Sequence, residues 1–310
     1  MSEIRTSAIW FDSANGKDRV AGYYYDVPDT TPRAVVQISH GMCEYIGRYQ
    51  DFASFLVQNG FAVCGNDHLG HGATSDGGTD GFFSEENGWK YALEDLRTMN
   101  RLARERYPGG PVFLLGHSMG SFFARLYAVT YPETIDALLL SGTGGPNPAA
   151  GVGIFLTSVL AKWKGPRHRS SLINRMAFGT YLSRISNPNT PYDWITRDQE
   201  IVNSYAVDPK CTFIFTVSAF HDLMCVLAKV STPEWAARFP KELPVMLFSG
   251  DMDPVGSYGK GVQKVYDLLC GAGVKDVSIK LYPGGRHEML NETNRQEVYR
   301  DILNWCNTHL

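Results

Sequence analysis

No two of the six cysteines in this 310-residue chain form a C-x-x-C pair. Cys43, Cys64, Cys211, Cys225, Cys270 and Cys306 are widely scattered, which argues against a structural zinc site and against a disulfide framework. Most are expected to be reduced, buried fillers. An excess of positive charge is also missing: 29 Lys and Arg against 32 Asp and Glu leave a net charge of -3, so nucleic acid is not an expected partner. Nor does any stretch read as a membrane span. The most apolar one, CTFIFTVSAFHDLMCVLAKV, carries His221 and Asp222 near its centre, where hydrocarbon would penalise them. The opening MSEIRTSAIWFDS lacks the basic-then-apolar pattern of a secretory signal, and the expected location is the cytoplasm.

What is present is a change of rhythm along the chain. SAIWFDS and RVAGYYYDV alternate like two antiparallel strands, joined through Asn15-Gly16, a dipeptide suited to a tight hairpin turn. Short apolar runs follow (AVVQIS, FAVCGN, VFLLG, ALLLSG), separated by helix-period segments. In YALEDLRTMNRLARERY, for example, Leu93, Leu96, Asn100, Ala103 and Tyr107 fall on one face. That alternation predicts an α/β protein with a mostly parallel sheet and helices on both sides. From about Gly144 to Pro233 the rhythm fails, and GVGIFLTSVLAKW, SLINRMAFGTYLSRI and the CTFIF segment read as a helical insertion. Strand and helix then resume. The expected organisation is a core over 1–143 and 234–310, interrupted by an insertion over 144–233.

Gly116-His117-Ser118-Met119-Gly120 fits G-x-S-x-G, placed after a strand-like run and before a helix-like one. In such a turn a serine sits exposed above the sheet on a strained backbone, and the flanking glycines remove Cβ atoms that would clash. A serine hydroxyl is a weak nucleophile that needs a base oriented by a carboxylate. PVMLFSGDMDPVG ends a predicted strand with Asp251 and Asp253, and VSIKLYPGGRHEML ends the next with His287, so the chain order is Ser, Asp, His. Asp253, further past its strand, is the expected partner of His287, while Asp251 orders the turn. A developing oxyanion needs fixed N–H donors. One is expected from Met119, after the serine, and one from Met42 in the His40-Gly41-Met42-Cys43-Glu44 loop, where Gly41 allows close backbone approach. His117 is expected to pack or hydrogen-bond beside Ser118. Asp67, His68 and His71 in NDHLGHGATS could suggest a metal site, but no second cluster has ligand spacing, and a hydrogen-bonded supporting loop is the expected role. No cofactor or metal is called for.

Taken together, SHGMCEY, NDHLGHGATS, GHSMGS, SGDMDPVG and GGRHEMLNE resemble the α/β-hydrolase superfamily, and more narrowly its monoacylglycerol lipase and lysophospholipase-like serine hydrolases. DPKCTFIFT resembles bacterial members of that group. The resemblance implies the α/β-hydrolase fold, an eight-stranded sheet with a cap inserted after the sixth strand. It also implies Ser118, Asp253 and His287 as a triad, with the Met42 and Met119 amides as the oxyanion hole. Met42-Cys43-Glu44-Tyr45 departs from the better-known lipases, which bears on substrate preference more than on chemistry. Single-chain acyl lipids are the expected substrates. Small esters, amides or N-terminal prolyl peptides are the alternative, for which Glu200, Asp208 or Asp222 could hold an amine, and a non-catalytic ligand-binding protein is the reading of another class. His40, Gly41, Phe155, Phe178 and Phe215 are candidate substrate contacts, and the cap is a candidate for transient contact with a membrane surface.

Overall fold

The computed structural model describes residues 3–310. Eight strands form one sheet: β1 (Arg5–Asp12), β2 (Arg19–Asp26), β3 (Val35–Ser39), β4 (Ala62–Asn66), β5 (Val112–His117), β6 (Ala137–Ser141), β7 (Val245–Gly250) and β8 (Val277–Tyr282). Their order across the sheet is β1-β2-β4-β3-β5-β6-β7-β8. The pairings of β1 with β2 and of β2 with β4 are antiparallel, and all the others are parallel. Every residue of β3 to β7 is buried, because helices cover both faces; hence the unbroken apolar runs.

The helices of the described residues are α1 (Gln50–Gln58), α2 (Gly88–Arg106), α3 (Met119–Thr130), α4 (Ala150–Lys164), α5 (Ser171–Phe178), α6 (Gln199–Val207), α7 (Val217–Lys229), α8 (Pro233–Arg238), α9 (Lys260–Gly271) and α10 (Arg295–Asn307). Leu114, Leu138 and Leu247 join one core with residues of α2, α3, α7 and α9. Phe113, Leu115 and Leu139 join the other, with Phe52 and Leu56 of α1 and Tyr299 and Ile302 of α10. Successive strand residues thus feed opposite faces.

Between β6 and β7 the chain runs through α4 to α8. Only part of the CTFIF segment is helical: the Thr216 hydroxyl accepts the Ala219 N–H and starts α7 at Val217, so Cys211 to Phe215 stay irregular. The helix α6 has no counterpart in the sequence reading. Its cap is Asp198, which accepts the Glu200 N–H at 3.1 Å. Asn15-Gly16 also differs from expectation. It lies in a loop spanning residues 13–18 instead of a two-residue turn, because Asp95 reaches across to hold the Ser13 hydroxyl and the Ala14 N–H, both at 2.7 Å. Among the described residues, no helix is long and apolar enough to cross a membrane.

At the sheet edge, Asp26 accepts bonds from Arg5 at 2.9 Å, Arg106 at 2.9 Å and the Tyr107 hydroxyl at 2.6 Å, tying β1, β2 and the end of α2 together. Burial alone would raise this carboxyl, but the three donors hold it at about 2. An unfolded aspartate titrates near about 3.9, so the stabilisation is present above about pH 4 and is lost as pH falls through about 2. Asp26→Asn should lower the melting temperature at neutral pH, with the gap to wild type closing across that window. A gap of constant size down to pH 2 would contradict this assignment.

Candidate active site

The strand ends on one side of the sheet converge on one cavity. Ser118 joins β5 to α3 with φ 52° and ψ -120°, a conformation that non-glycine residues keep only when their surroundings impose it. The imposition comes from close backbone packing: a Cβ on Gly120 would lie 1.9 Å from the Ser39 carbonyl oxygen, so α3 can approach β3 only with glycine there. The Ser118 N–H donates to the Ser141 carbonyl at 2.9 Å, which fixes the turn against β6. Ser118 is half-buried and faces the cavity.

His287, in the loop after β8, faces the same cavity. Its Nδ1 lies 3.0 Å from Oδ1 of Asp253, a carboxylate with 0% exposure. Asp253 is further held by the Ser249 hydroxyl at 2.8 Å and the Val255 N–H at 2.8 Å. Asp251 instead accepts the Gly284 N–H at 2.7 Å and orders the neighbouring loop. Burial works against a charged His287, yet the Asp253 carboxylate outweighs it and raises the imidazole above the ordinary histidine value. The ring is braced by His117 at 4.7 Å and Trp194 at 5.1 Å between centroids. His117 itself bonds the Ser141 hydroxyl at 3.1 Å, and burial lowers it to about 3, so it stays neutral. Ser118 and His287 do not hydrogen-bond to each other in this structure; such contacts are commonly long before substrate binds and tighten in the complex.

Met119 is the first residue of α3, where N–H groups have no partner within the helix. Across from it lies the loop from His40 to Glu44. Its Gly41 N–H donates to the Glu44 carboxylate, which also accepts the Tyr49 hydroxyl at 2.7 Å. Arg48 bonds Glu44 at 3.0 Å and grips Glu288 with two bonds of 2.7 Å. Two buried carboxylates thus share one guanidinium. Burial, and then the neighbouring Glu288, push Glu44 above the ordinary carboxylate value against the pull of Arg48, whereas Glu288, with the better share of Arg48, is held below it despite its burial.

The D-H-x-x-H stretch lies beneath this loop and supports it by hydrogen bonds. Asp67 accepts the Ile46 and Ala73 N–H groups at 2.9 and 2.8 Å, and His71 Nε2 accepts the Cys43 N–H at 3.2 Å. Burial lowers His68 to about 3 and His71 to about 4, which keeps both neutral, as the bond that His71 Nε2 accepts requires.

The cavity has a volume of about 790 Å³, and Met42, Leu156, Phe178, Phe213, Phe220 and Leu223 supply much of its apolar wall. Of the candidate substrate contacts, Gly41 and Phe178 line it. The other three do not. His40 is wholly buried below the loop, Phe215 is packed into the core against Phe83 and Phe220, and Phe155 is 66% exposed on the outward face of α4. Glu200, Asp208 and Asp222 also stay out of the lining, whose carboxylates are Glu44 and Glu288. Trp194, which does line it, lies in a stretch without periodicity that carries no sequence signal, and Tyr181, which also lines it, falls within SLINRMAFGTYLSRI but past the end of α5 at Phe178.

A family model described as Serine aminopeptidase, S33 matches residues 30–294. The chain belongs to this hydrolase family. Proteins similar to this α/β hydrolase include the Monoacylglycerol lipase of Mycolicibacterium smegmatis, 31% identical over 92% of this chain and 93% of its own. The Monoglyceride lipase of Rattus norvegicus is 29% identical over 92% of this chain and 84% of its own. A highly thermostable carboxyl esterase from Bacillus coagulans, solved in complex with glycerol, matches with a TM-score of 0.92 and 34% identity, covering 99% of each chain.

The electrostatics of the hydrolase give a direct test. With Asp253→Asn the strongest of the charges that raise His287 is gone while burial remains and Glu288 and Glu44 stay nearby, so by NMR the imidazole should titrate lower in the variant than in wild type. Equal titration in the two proteins would show that Asp253 does not set the state of His287.

Proposed function

We propose that this chain hydrolyses carboxylic esters through a covalent acyl-enzyme, with Ser118 as nucleophile. His287 takes the Ser118 proton as the oxygen attacks the acyl carbon, and Asp253 orients the ring and stabilises the imidazolium. The Met42 and Met119 N–H groups stabilise the oxyanion, each such donor contributing about 2.7–4 kcal/mol to the barrier. His287 then protonates the leaving alcohol, and water, activated by the same imidazole, releases the acid. The observation that carries this reading is the buried His287–Asp253 pair opening, with Ser118, onto a single apolar cavity.

Single-chain acyl esters, monoacylglycerols or lysophospholipids, are the proposed substrates. Burial of a chain in the apolar wall contributes about 0.8 kcal/mol per methylene, so eight methylenes supply on the order of 6 kcal/mol before ordering costs. The lipase relatives and the esterase neighbour support an ester. The family description favours comparison with an aminopeptidase, but a free amine would have to be held by Glu44 or Glu288, and both are already bonded to Arg48. All six cysteines are free, in keeping with a cytoplasmic setting.

The segment over 144–233 is proposed to act as a cap that meets the lipid surface. Along α4, Val152, Phe155, Val159 and Trp163 share one face and are 57%, 66%, 47% and 75% exposed, and Leu172 and Met176 of α5 are 54% and 59% exposed. Val152 and Met176 also line the cavity, which places the apolar face at its mouth.

Assays on a monoacylglycerol, a lysophospholipid, a short p-nitrophenyl ester and a prolyl amide test the substrate reading. A long-chain ester is expected to lead, and Ser118→Ala to lose at least about 10³-fold in kcat. Preference for the prolyl amide would overturn the lipid assignment, and normal turnover by Ser118→Ala would overturn the mechanism. Replacing Phe155 and Trp163 together by Ser should slow hydrolysis of vesicle-borne substrate by about tenfold or more while sparing the short soluble ester; equal effects on both would contradict a surface role.

A further inference from the structure

This inference builds on the Ser118 reading above and concerns how the oxyanion loop is held in shape. Cys43, next to Met42, has φ 55°, a left-handed conformation that a side chain with a Cβ keeps only under restraint. Each polar group of Cys43 is engaged. Its N–H donates to His71 Nε2 at 3.2 Å, its carbonyl accepts the Tyr205 hydroxyl at 3.0 Å, and its thiol donates to the Phe213 carbonyl at 3.3 Å. On the other side of Met42, the Gly41 N–H is taken by Glu44 and its carbonyl accepts His40 Nδ1 at 2.8 Å. The residues flanking Met42 are therefore tied at both their amide and carbonyl groups, and the Met42 N–H is not used by any of these ties.

Three of the five partners, His40, His71 and Glu44, belong to the loops after β3 and β4. The other two, Tyr205 on α6 and Phe213, belong to the segment between β6 and β7. Tyr205 is itself held firmly: it is 7% exposed, the Arg48 guanidinium lies 4.8 Å above its ring, and Tyr192 packs at 5.0 Å. Arg48 is the same cation that binds Glu44 and Glu288. Burial pushes the Tyr205 phenol well above its ordinary value, so it remains a donor throughout the working range of a histidine base.

We infer that Tyr205 is a positioning residue for acyl transfer: by holding the Cys43 carbonyl, its hydroxyl sets the Met42 N–H for the oxyanion and makes the helical insertion a structural part of the oxyanion hole. The hole is then complete only while α6 is seated on the loop. Tyr205 touches no reacting atom in this scheme, and its effect passes through Cys43.

Tyr205→Phe removes the one oxygen and keeps the ring that Arg48 covers. Assayed on a cleaved ester well below its melting temperature, the variant should lose about 10- to 100-fold in kcat while KM stays within about threefold, the pattern of an interaction made in the transition state. An alkyl trifluoromethyl ketone adds to the serine as a hemiketal whose oxyanion occupies the same hole. Its inhibition constant should rise by the factor by which kcat/KM falls. A kcat within about twofold of wild type, or a reduced kcat with unchanged ketone affinity, would overturn the role of Tyr205. Failure of the underlying reading is recognisable separately, as a wild-type protein that cleaves no ester or a Ser118→Ala protein that still does.

Discussion

The bond between His287 and Asp253 joins the loops after two neighbouring strands, and both partners are almost wholly removed from water. Burying a charge is costly unless it is paired and hydrogen-bonded. Asp253 meets that requirement with the imidazole, the Ser249 hydroxyl and the Val255 N–H. The same carboxylate then decides the character of the imidazole, since burial alone would make it a poor proton acceptor. The strained turn at Ser118 and the packing of Gly120 on β3 bring the hydroxyl to the same cavity from a third strand. Sheet geometry thus supplies the convergence, and the acid supplies its electrostatics.

The polar floor around this pair is a second constraint. Glu44 and Glu288 are buried beside the cavity, and their bonds to Arg48 offset the loss of water. In this fold the cluster has a geometric consequence, because the Glu44 carboxylate takes the Gly41 N–H and Arg48 covers Tyr205. The histidines of NDHLGHGATS add to it as neutral acceptors and donors. The proposed acyl ester would meet an apolar cavity wall above a floor in which both carboxylates are already bonded to Arg48.

Much of the sheet was legible because unbroken apolar runs such as VFLLG and ALLLS have few other uses in a chain of this length. The chain order of Ser118, Asp253 and His287 was legible for a related reason: Ser118 and Asp253 follow such runs, and His287 follows the alternating strand VSIKLY. Asp253 could be preferred to Asp251 by its distance past the strand, and the structure gives Asp251 a loop bond instead. Side-chain direction within the segment between β6 and β7 was not legible. Phe155 and Phe215 look alike in sequence, yet one points outward from α4 and the other is enclosed by aromatic rings, and only packing of helices onto the core decides that. Trp194 reaches His287 from a stretch without periodicity, and Tyr205 meets Cys43 across 162 positions, so neither contact has a local signature. Asp198 before α6 was a readable cap that the irregular stretch around it obscured.

The central claim is that Ser118 is made nucleophilic by His287. Reaction with a fluorophosphonate, followed by proteolysis and mass spectrometry, measures this most directly. The account predicts a single adduct on the peptide containing Ser118, formed at least about 10³-fold more slowly when His287 is replaced by Ala. An adduct on another residue, or labelling of Ser118 at the same rate without His287, would contradict it.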